Sequence, residues 1–279
     1  MALTDHERRS LTDLAKELRK VVINMTTKGG AGHVGPSLSC ADIMACLYGK
    51  VMKIDPSNPA WEDRDRFILS AGHKSAVLYS ILALRGFYPM ETLDTYLQDN
   101  SLLGAHPVKE LPGVDLSTGS LGHGLGIGVG ISLAAKYQKK SYKTYVLLGD
   151  GELAEGSNWE AAMAASHFGL TNLVAIVDRN TLQIGGRTEE VMSLEPLADK
   201  WKAFGWGVRE VYGHDLDELD SAFSMAPVVA DKPTVILART VKGKGVSFIE
   251  DRLEWHYKAA TPEQAVQAIR ELDSEQGVK

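Results

Sequence analysis

In Tyr145-Val-Leu-Leu-Gly-Asp-Gly-Glu-Leu-Ala-Glu-Gly156, an apolar strand ends just before Asp150. A second apolar run ends at Val177-Asp-Arg-Asn-Thr-Leu182, which places Asn180 after the next strand. The carboxyl ends of parallel strands share one sheet edge, where such sheets bind ligands. Both side chains offer hard oxygen atoms that Mg²⁺, Ca²⁺ or Mn²⁺ can share with a diphosphate. The sequence therefore predicts a metal site made by Asp150, Asn180 and a backbone carbonyl just beyond, that of Leu182.

Helical and extended patterns alternate along the chain. Helices are predicted over 5–28, 37–52, 74–85, 90–97, 122–139, 156–168, 195–204, 215–225 and from Thr261, and strands over 66–70, 144–148, 173–177, 207–212 and 234–239. Prolines and glycines mark a long loop over 101–119, and such loops are often functional. The alternation predicts an α/β fold, a parallel twisted sheet with helices on both faces. Because no linker or repeat interrupts it, residues 1–279 are expected to form a single domain.

Composition narrows the class of protein. The net charge of −6 argues against a nucleic-acid or anionic-membrane surface. The N-terminus is charged, and no apolar run approaches the roughly 20 residues needed to span a bilayer. Cys40 and Cys46 lie in an apolar helical stretch and are expected to be reduced core residues. These features favour a cytoplasmic protein.

The Gly-Asp-Gly segment has two interpretations. Gly149 and Gly151 lack a Cβ atom, so their N–H groups can approach phosphate oxygens closely. Alternatively, the segment is only a turn between strand and helix, with Asp150 capping the helix. The matching position of Asn180 favours the metal and diphosphate site.

Several separate motifs resemble the N-terminal half of transketolase, in that family's order. They are Gly32-His-Val-Gly-Pro-Ser-Leu-Ser, Phe67-Ile-Leu-Ser-Ala-Gly-His-Lys, Leu103-Gly-Ala-His-Pro, Leu111-Pro-Gly-Val-Asp-Leu-Ser-Thr-Gly-Ser-Leu-Gly-His-Gly, the Gly149 and Asp178-Arg-Asn segments, and Lys242-Gly-Lys-Gly. The resemblance implies a diphosphate-binding domain for thiamine diphosphate and Mg²⁺. Full-length transketolases are more than twice as long, so it also implies a separate C-terminal, pyrimidine-binding partner chain in an α2β2 assembly.

The resemblance gives roles to four histidines. His33 and His106 would contact the sugar donor, His73 would lie near the diphosphate, and His256 would lie against both. Neutral imidazole suits polyol recognition and proton transfer near neutral pH. A lone histidine is more often a satisfied structural residue, and Tyr257 replaces the small residue that often follows His256 in the family.

The resemblance also marks cofactor contacts and a carboxylate. Gly119, Leu121 and Gly151 match positions that contact the cofactor. Glu155 matches the residue that meets the partner's cofactor-activating glutamate across the subunit interface. Glu160 matches another member of that cluster, although Glu152, Glu155 and Glu160 also suit the first turns of a helix. Lys242 and Lys244 fit either the phosphates or a solvated loop.

The expected function is two-carbon ketol transfer from a ketose to an aldose, performed together with the partner chain. One alternative is the α subunit of a 2-oxo-acid or acetoin dehydrogenase, which shares Gly-Asp-Gly…Asn but not the histidine set. Another is a non-catalytic assembly subunit, against which the intact site residues argue. The sequence does not identify the sugar.

Overall fold

The computed structural model describes residues 3–274, so residues 1–2 and 275–279 of the expected domain lie outside the described residues. The helices are α1 (Asp5–Gly29), α2 (Val34–Ser39), α3 (Ala41–Cys46), α4 (Ser75–Leu84), α5 (His123–Tyr137), α6 (Gly156–His167), α7 (Thr188–Val191), α8 (Leu197–Ala203), α9 (Leu216–Ser224) and α10 (Pro262–Asp273). The strands are β1 (Arg66–Leu69), β2 (Thr144–Gly149), β3 (Leu173–Arg179), β4 (Leu182–Gln183), β5 (Gly186–Arg187), β6 (Gly207–Tyr212) and β7 (Thr234–Arg239).

Five strands form one parallel sheet in the order β1-β2-β3-β7-β6. Successive side chains of a strand point to opposite faces, so β2 sends Tyr145 and Leu147 into one hydrophobic core and Val146 and Leu148 into another. Helices α1, α2, α3, α4, α9 and α10 supply the first core, and α5, α6 and α8 supply the second. The predicted α/β fold, with helices on both faces of a parallel sheet, is confirmed.

The predicted helix over 37–52 differs most from the structure. The chain forms α2 and α3, separated at Cys40, and then a π-helical turn over Leu47–Val51. The helix starts before Ser37 because Pro36 lies in the first turn of α2, where its missing N–H costs no hydrogen bond. Ser39, at the end of α2, donates from its hydroxyl to Asp178 at 2.5 Å.

Other differences are smaller. The predicted helix over 90–97 is a 3₁₀ segment over Met90–Thr95, and that over 195–204 is shortened to α8. The hairpin of β4 and β5 and the short helix α7 were not predicted. Both cysteines are buried and free, as expected. In residues 3–274 no helix combines the length and the apolar character that crossing a membrane requires.

Candidate active site

Four neighbouring strands of the sheet end at one cavity of about 370 Å³. His73 follows β1, Asp150 follows β2, Asn180 follows β3 and Lys242 follows β7. The cavity thus occupies the edge where parallel sheets bind ligands. Its lining residues are His33, Pro36, His73, Lys74, His106, Gly119, Leu121, Gly149, Asp150, Gly151, Glu152, Asn180, Leu182, Gln183, Ile184, Lys242 and His256.

Asp150 is a buried carboxylate of this cavity, with 2% of its surface exposed. Its Oδ2 atom accepts hydrogen bonds from the N–H of Thr181 at 2.6 Å and from Arg179 at 3.2 Å. Burial raises the pKa of Asp150, and the neighbouring charge of Asp178 raises it further. A carboxylate in these surroundings gains from an additional cation.

The amide of Asn180 and the carbonyl of Leu182 lie in the turn that follows β3. The Oδ1 atom of Asn180 accepts from the N–H of Leu182 at 3.1 Å, and the Leu182 carbonyl accepts from Nζ of Lys242 at 2.9 Å. Each oxygen has a second lone pair. A Cβ atom on Gly151 would lie 2.9 Å from Cβ of Gln183, so only glycine lets the two turns approach this closely.

The described residues offer a particular kind of metal site. Within residues 3–274, no three His, Cys, Asp or Glu side chains are grouped so that they could hold a metal ion. Asp150, Asn180 and Leu182 instead combine one carboxylate with two neutral oxygens. Mg²⁺ favours such a site, with few protein carboxylates, when phosphate oxygens complete its octahedron. The donor set fits a magnesium diphosphate.

A buried ion pair lies beneath this site. Nζ of Lys74 is 2.6 Å from Oδ2 of Asp178, which also accepts from Nδ2 of Asn180 at 3.2 Å. The hydroxyl of Thr240 donates to the other oxygen of Asp178. Although burial alone would raise it, the charge of Lys74 holds the pKa of Asp178 below its usual value. Asp178 therefore stays ionised and orients the Asn180 amide.

Glu152 joins the strand end to the neighbouring loop. Its carboxylate accepts from the N–H of Gly122 at 2.9 Å, from the N–H of Gly149 at 3.0 Å and from the Ser70 hydroxyl. The side chain is buried, and burial raises its pKa. Glu152 thus fixes the loop that carries Gly119 and Leu121 into the cavity.

Three histidine rings meet on one wall of the cavity. The ring centroids of His33 and His73 are 4.8 Å apart, and that of His256 lies 5.5 Å from His33 and 5.6 Å from His73. Burial, with neighbouring positive charges, lowers the pKa of His33 to about 4, of His256 to about 3 and of His73 to about 2. All three rings are neutral near pH 7, so each offers one hydrogen-bond donor and one acceptor.

His106 lies in the long loop over 101–119 and also lines the cavity. Its carbonyl accepts from the hydroxyl of Tyr79 at 2.8 Å, which ties the loop to α4. A Cβ atom on Gly119 would lie 3.4 Å from Cδ2 of His106. The loop therefore folds back so that Gly119 lies against the His106 ring.

Lys242 is a buried cation on the same wall as the histidines. In addition to its bond to Leu182, its Nζ lies 3.0 Å from Nδ1 of His256. Burial lowers the pKa of Lys242 to about 8. Its stem crosses Gly35, where a Cβ atom would lie 3.1 Å from Cγ of Lys242.

Glu155 and Glu160 are exposed, and neither is among the residues that line the cavity within the described chain. Glu155 lies beside the loop of Gly119 and Leu121, which does line the cavity. A Cβ atom on Gly122, whose φ is +85°, would lie 2.7 Å from Cβ of Glu155. Glu155 is therefore placed at the rim, on a surface that faces outward.

The structure brings together every predicted site residue except Glu155. The cavity lining also includes four residues that are not among the predicted ones, Pro36, Lys74, Gln183 and Ile184. It includes Glu152 and Lys242 as well, for which the sequence allows two interpretations. The signal for Lys74 was its position beside His73 after a strand. Nothing in the sequence pattern indicated Gln183 or Ile184, because the hairpin that carries them is only two residues long on each side.

A parallel α/β sheet with an Asp–Asn pair and clustered histidines at its strand ends defines a cofactor-binding domain. Residues 10–275 match the family model described as "Transketolase, thiamine diphosphate binding domain". The chain is 46% identical to an apulose-4-phosphate transketolase subunit of Phocaeicola vulgatus, covering 91% of this chain and 90% of that one. It is 45% identical to a 6-deoxy-6-sulfo-D-fructose transketolase subunit of a Clostridium species, covering 94% and 95%.

Among solved structures, the transketolase of Campylobacter jejuni superposes with a TM-score of 0.90 at 33% identity. The match covers 97% of this chain and 44% of that one. The chain belongs to the transketolase family and is a transketolase subunit that carries the thiamine diphosphate binding domain. The resemblance seen in the sequence is confirmed, and these matches favour transketolase over the α subunit of a 2-oxo-acid or acetoin dehydrogenase.

Proposed function

We propose that this subunit transfers a two-carbon ketol unit from a ketose to an aldose, and that it does so only together with a separate C-terminal chain. The observation that carries the proposal is the single cavity in which Asp150, Asn180 and the four histidines converge at the ends of neighbouring strands. The oxygen ligands Asp150, Asn180 and Leu182 would form a diphosphate end of this cavity. The histidines, which offer neutral donors and acceptors for sugar hydroxyls, would form a sugar end.

The diphosphate end would hold Mg²⁺, or Ca²⁺ or Mn²⁺, through Asp150, Asn180 and the carbonyl of Leu182. Gly151 would let the backbone approach the phosphates. Lys242 supports this assignment because its ammonium group lines the same cavity and carries a charge complementary to a diphosphate. Thiamine diphosphate held there would supply a carbon nucleophile for a carbonyl group and a cationic ring that acts as an electron sink.

The sugar end would use His33, His106 and His256 to hold the donor, with His73 between the donor and the diphosphate. The low pKa values of His33, His73 and His256 support this role, because neutral rings can donate to one hydroxyl and accept from another. With pKa values this low, the three rings would bind and orient the hydroxyls and would be weak bases near pH 7. Gly119 and Leu121 would contact the aminopyrimidine ring of the cofactor.

The partner chain would supply the pyrimidine-binding half and the glutamate that activates the cofactor. Glu155 would meet that glutamate across the interface, with Glu160 nearby. The exposed position of Glu155 beside the cavity supports this role, because its carboxylate is accessible to a second chain. Two relatives are named as subunits, which supports a separate partner, and we propose an α2β2 assembly.

The substrate is proposed only as a class. One relative is named for apulose 4-phosphate and another for 6-deoxy-6-sulfo-D-fructose, which differ in skeleton and anionic group. We therefore propose a ketose donor whose first carbons are held by the histidines.

Residues 1–279 would act as one diphosphate-binding domain in the cytoplasm, where Cys40 and Cys46 stay reduced.

Reconstitution tests the proposal. The purified chain alone, with thiamine diphosphate and Mg²⁺, is expected to show no ketol transfer. Adding the C-terminal chain should restore transfer between a panel of ketoses and aldoses. Full activity of the chain alone would contradict the need for a partner, and no activity with the partner would favour a non-catalytic assembly subunit.

A further inference from the structure

A buried cluster of three charged or ionisable side chains lies outside the cavity, on the face of the sheet that α1 and α3 cover. Arg19 of α1 donates from both terminal nitrogens to Asp42 of α3, with one distance of 3.1 Å. Nδ1 of His214 lies 2.7 Å from Oδ2 of Asp42. The three side chains are between 4% and 11% exposed. None of them lines the cavity.

Both ends of this cluster bind the backbone on either side of Lys242. Nε2 of His214 accepts from the N–H of Val241 at 2.8 Å. Nε of Arg19 donates to the carbonyl of Lys244 at 3.1 Å. Val241 immediately precedes Lys242, and Lys244 follows it by two positions. The cluster therefore holds both sides of the turn from which Lys242 projects.

The hydrogen bonds fix the protonation of the cluster. Nε2 of His214 can accept from Val241 only while it carries no proton, so the proton of a neutral ring must be on Nδ1 and point to Asp42. Although burial alone would raise it, the charge of Arg19 and the hydrogen bond from His214 hold the pKa of Asp42 well below its usual range. Asp42 is thus a permanent acceptor for both partners.

Backbone hydrogen bonds also hold this turn: the N–H of Gly243 donates to the carbonyl of Gly35 at 3.0 Å, and the N–H of Asp251 donates to the carbonyl of Lys242 at 2.9 Å. Gly243 and Gly245 have φ values of +80° and +96°, in the left-handed region that glycine adopts without strain. Lys242 has a flexible stem, and its ammonium group is buried away from water at a desolvation cost.

We propose that Arg19, Asp42 and His214 are positioning residues that hold the turn at Val241 and Lys244, and thereby keep the ammonium group of Lys242 directed at Leu182 and His256. The role of Lys242 at the diphosphate rests on the function proposed above. The positioning itself rests only on the contacts of this chain.

The reactivity of lysines in the purified chain tests directly whether Arg19, Asp42 and His214 act as a clamp that holds Lys242 in place. An amine-acetylating reagent is applied to wild type, His214→Ala, His214→Gln and His6→Ala, and the modification rate of each lysine is followed by mass spectrometry. His6 is an exposed histidine of α1 and serves as the matched control. Lys74, which is 2% exposed, is the internal reference for general loosening.

In His214→Ala, Lys242 should react about tenfold faster, since a buried hydrogen bond that closes the turn is lost. In His214→Gln the increase should be smaller, because the amide oxygen can still accept from Val241. Lys74 should keep its rate in every variant, and His6→Ala should match wild type. Thiamine diphosphate affinity in the presence of Mg²⁺ should fall about tenfold in His214→Ala and little in His214→Gln.

An unchanged Lys242 rate, or an equal rise at Lys74 and Lys242, would overturn the proposal. If His214→Ala does not fold, the same comparison in His214→Gln decides. Absence of thiamine diphosphate binding by wild type would instead count against the proposed function, while the labelling rates would still decide whether the clamp exists.

Discussion

The Nζ atom of Lys74 lies 2.6 Å from Oδ2 of Asp178, and the two side chains are 2% and 0% exposed. The pair joins the turn after β1 to the end of β3 beneath the candidate metal site. Removing one partner of a buried ion pair leaves the other charge desolvated and unpaired, which costs far more than the pair contributes. Asp178 also orients Asn180, so the pair couples the stability of the chain to the geometry of its cavity.

Lys74→Met should therefore lower the free energy of unfolding by about 3 kcal/mol. Urea denaturation of the purified chain measures this value. Lys28→Met is the matched control, since Lys28 and its partner Asp94 are 61% and 59% exposed and an exposed pair contributes less than about 1 kcal/mol. Equal losses in the two variants would show that burial of the Lys74 pair is not important for stability.

Asp150→Ala should abolish metal-supported cofactor binding. The variant removes the only carboxylate of the proposed ligand set, so the affinity for thiamine diphosphate in Mg²⁺ should fall by about 100-fold or more. Titration calorimetry measures the affinity. Glu189→Ala is the control, because Glu189 also pairs with Arg179 but does not line the cavity. Unchanged affinity in Asp150→Ala would refute the metal assignment.

We expect Glu152 to be important for stability and Glu155 to be important for activity. The carboxylate of Glu152 accepts three hydrogen bonds, and in Glu152→Gln an NH₂ group replaces one of the accepting oxygens. The free energy of unfolding should therefore fall by about 1–3 kcal/mol. Glu155→Gln changes an exposed side chain and should shift stability by no more than about 0.5 kcal/mol. Glu155→Gln should nevertheless reduce ketol transfer by the reconstituted enzyme.

Urea denaturation and activity of the reconstituted enzyme, measured on both variants, distinguish these roles. The structural assignment fails if Glu152→Gln is as stable as wild type. The interface role of Glu155 fails if Glu155→Gln retains full activity with the partner chain.

Strand ends predicted the metal site, and the family resemblance predicted the histidines, Gly119 and Leu121. Asp150 and Asn180 each follow an apolar run, and parallel strands bring their ends to one edge whatever lies between them. Lys74 could not be predicted in the same way. A lysine in a turn is normally exposed, and its burial depends on Asp178, which lies 104 residues further along the chain.

The split of the predicted helix over 37–52 has a similar cause. Helical periodicity continues through Cys40, but the chain turns there so that Ser39 can reach Asp178 on β3. Tertiary hydrogen bonds of this kind leave no trace in local spacing. Periodicity therefore predicts the helices and strands that build the cavity. It does not predict the contacts between distant elements that determine which side chains line it.

The ring of Tyr257 packs against His33 with centroids 4.7 Å apart, although 56% of Tyr257 is exposed. Burial is the main cause of the low pKa of His33, about 4. Tyr257→Gly would open this side of the ring to water, so the pKa of His33 should rise toward its ordinary value. Tyr257→Phe keeps the ring and should leave the pKa unchanged. Histidine titrations by NMR, assigned with His33→Asn, measure both.

The same change should appear in the pH dependence of stability. A histidine whose folded pKa is about 4 binds fewer protons in the folded chain than in the unfolded chain, whose pKa is about 6.5. Stability is therefore lost as pH falls from about 6.5 toward 4. Raising the folded pKa narrows this window, so urea midpoints of Tyr257→Gly should decline less steeply than those of Tyr257→Phe between about pH 6.5 and 4.5. Parallel declines would show that Tyr257 does not shield His33.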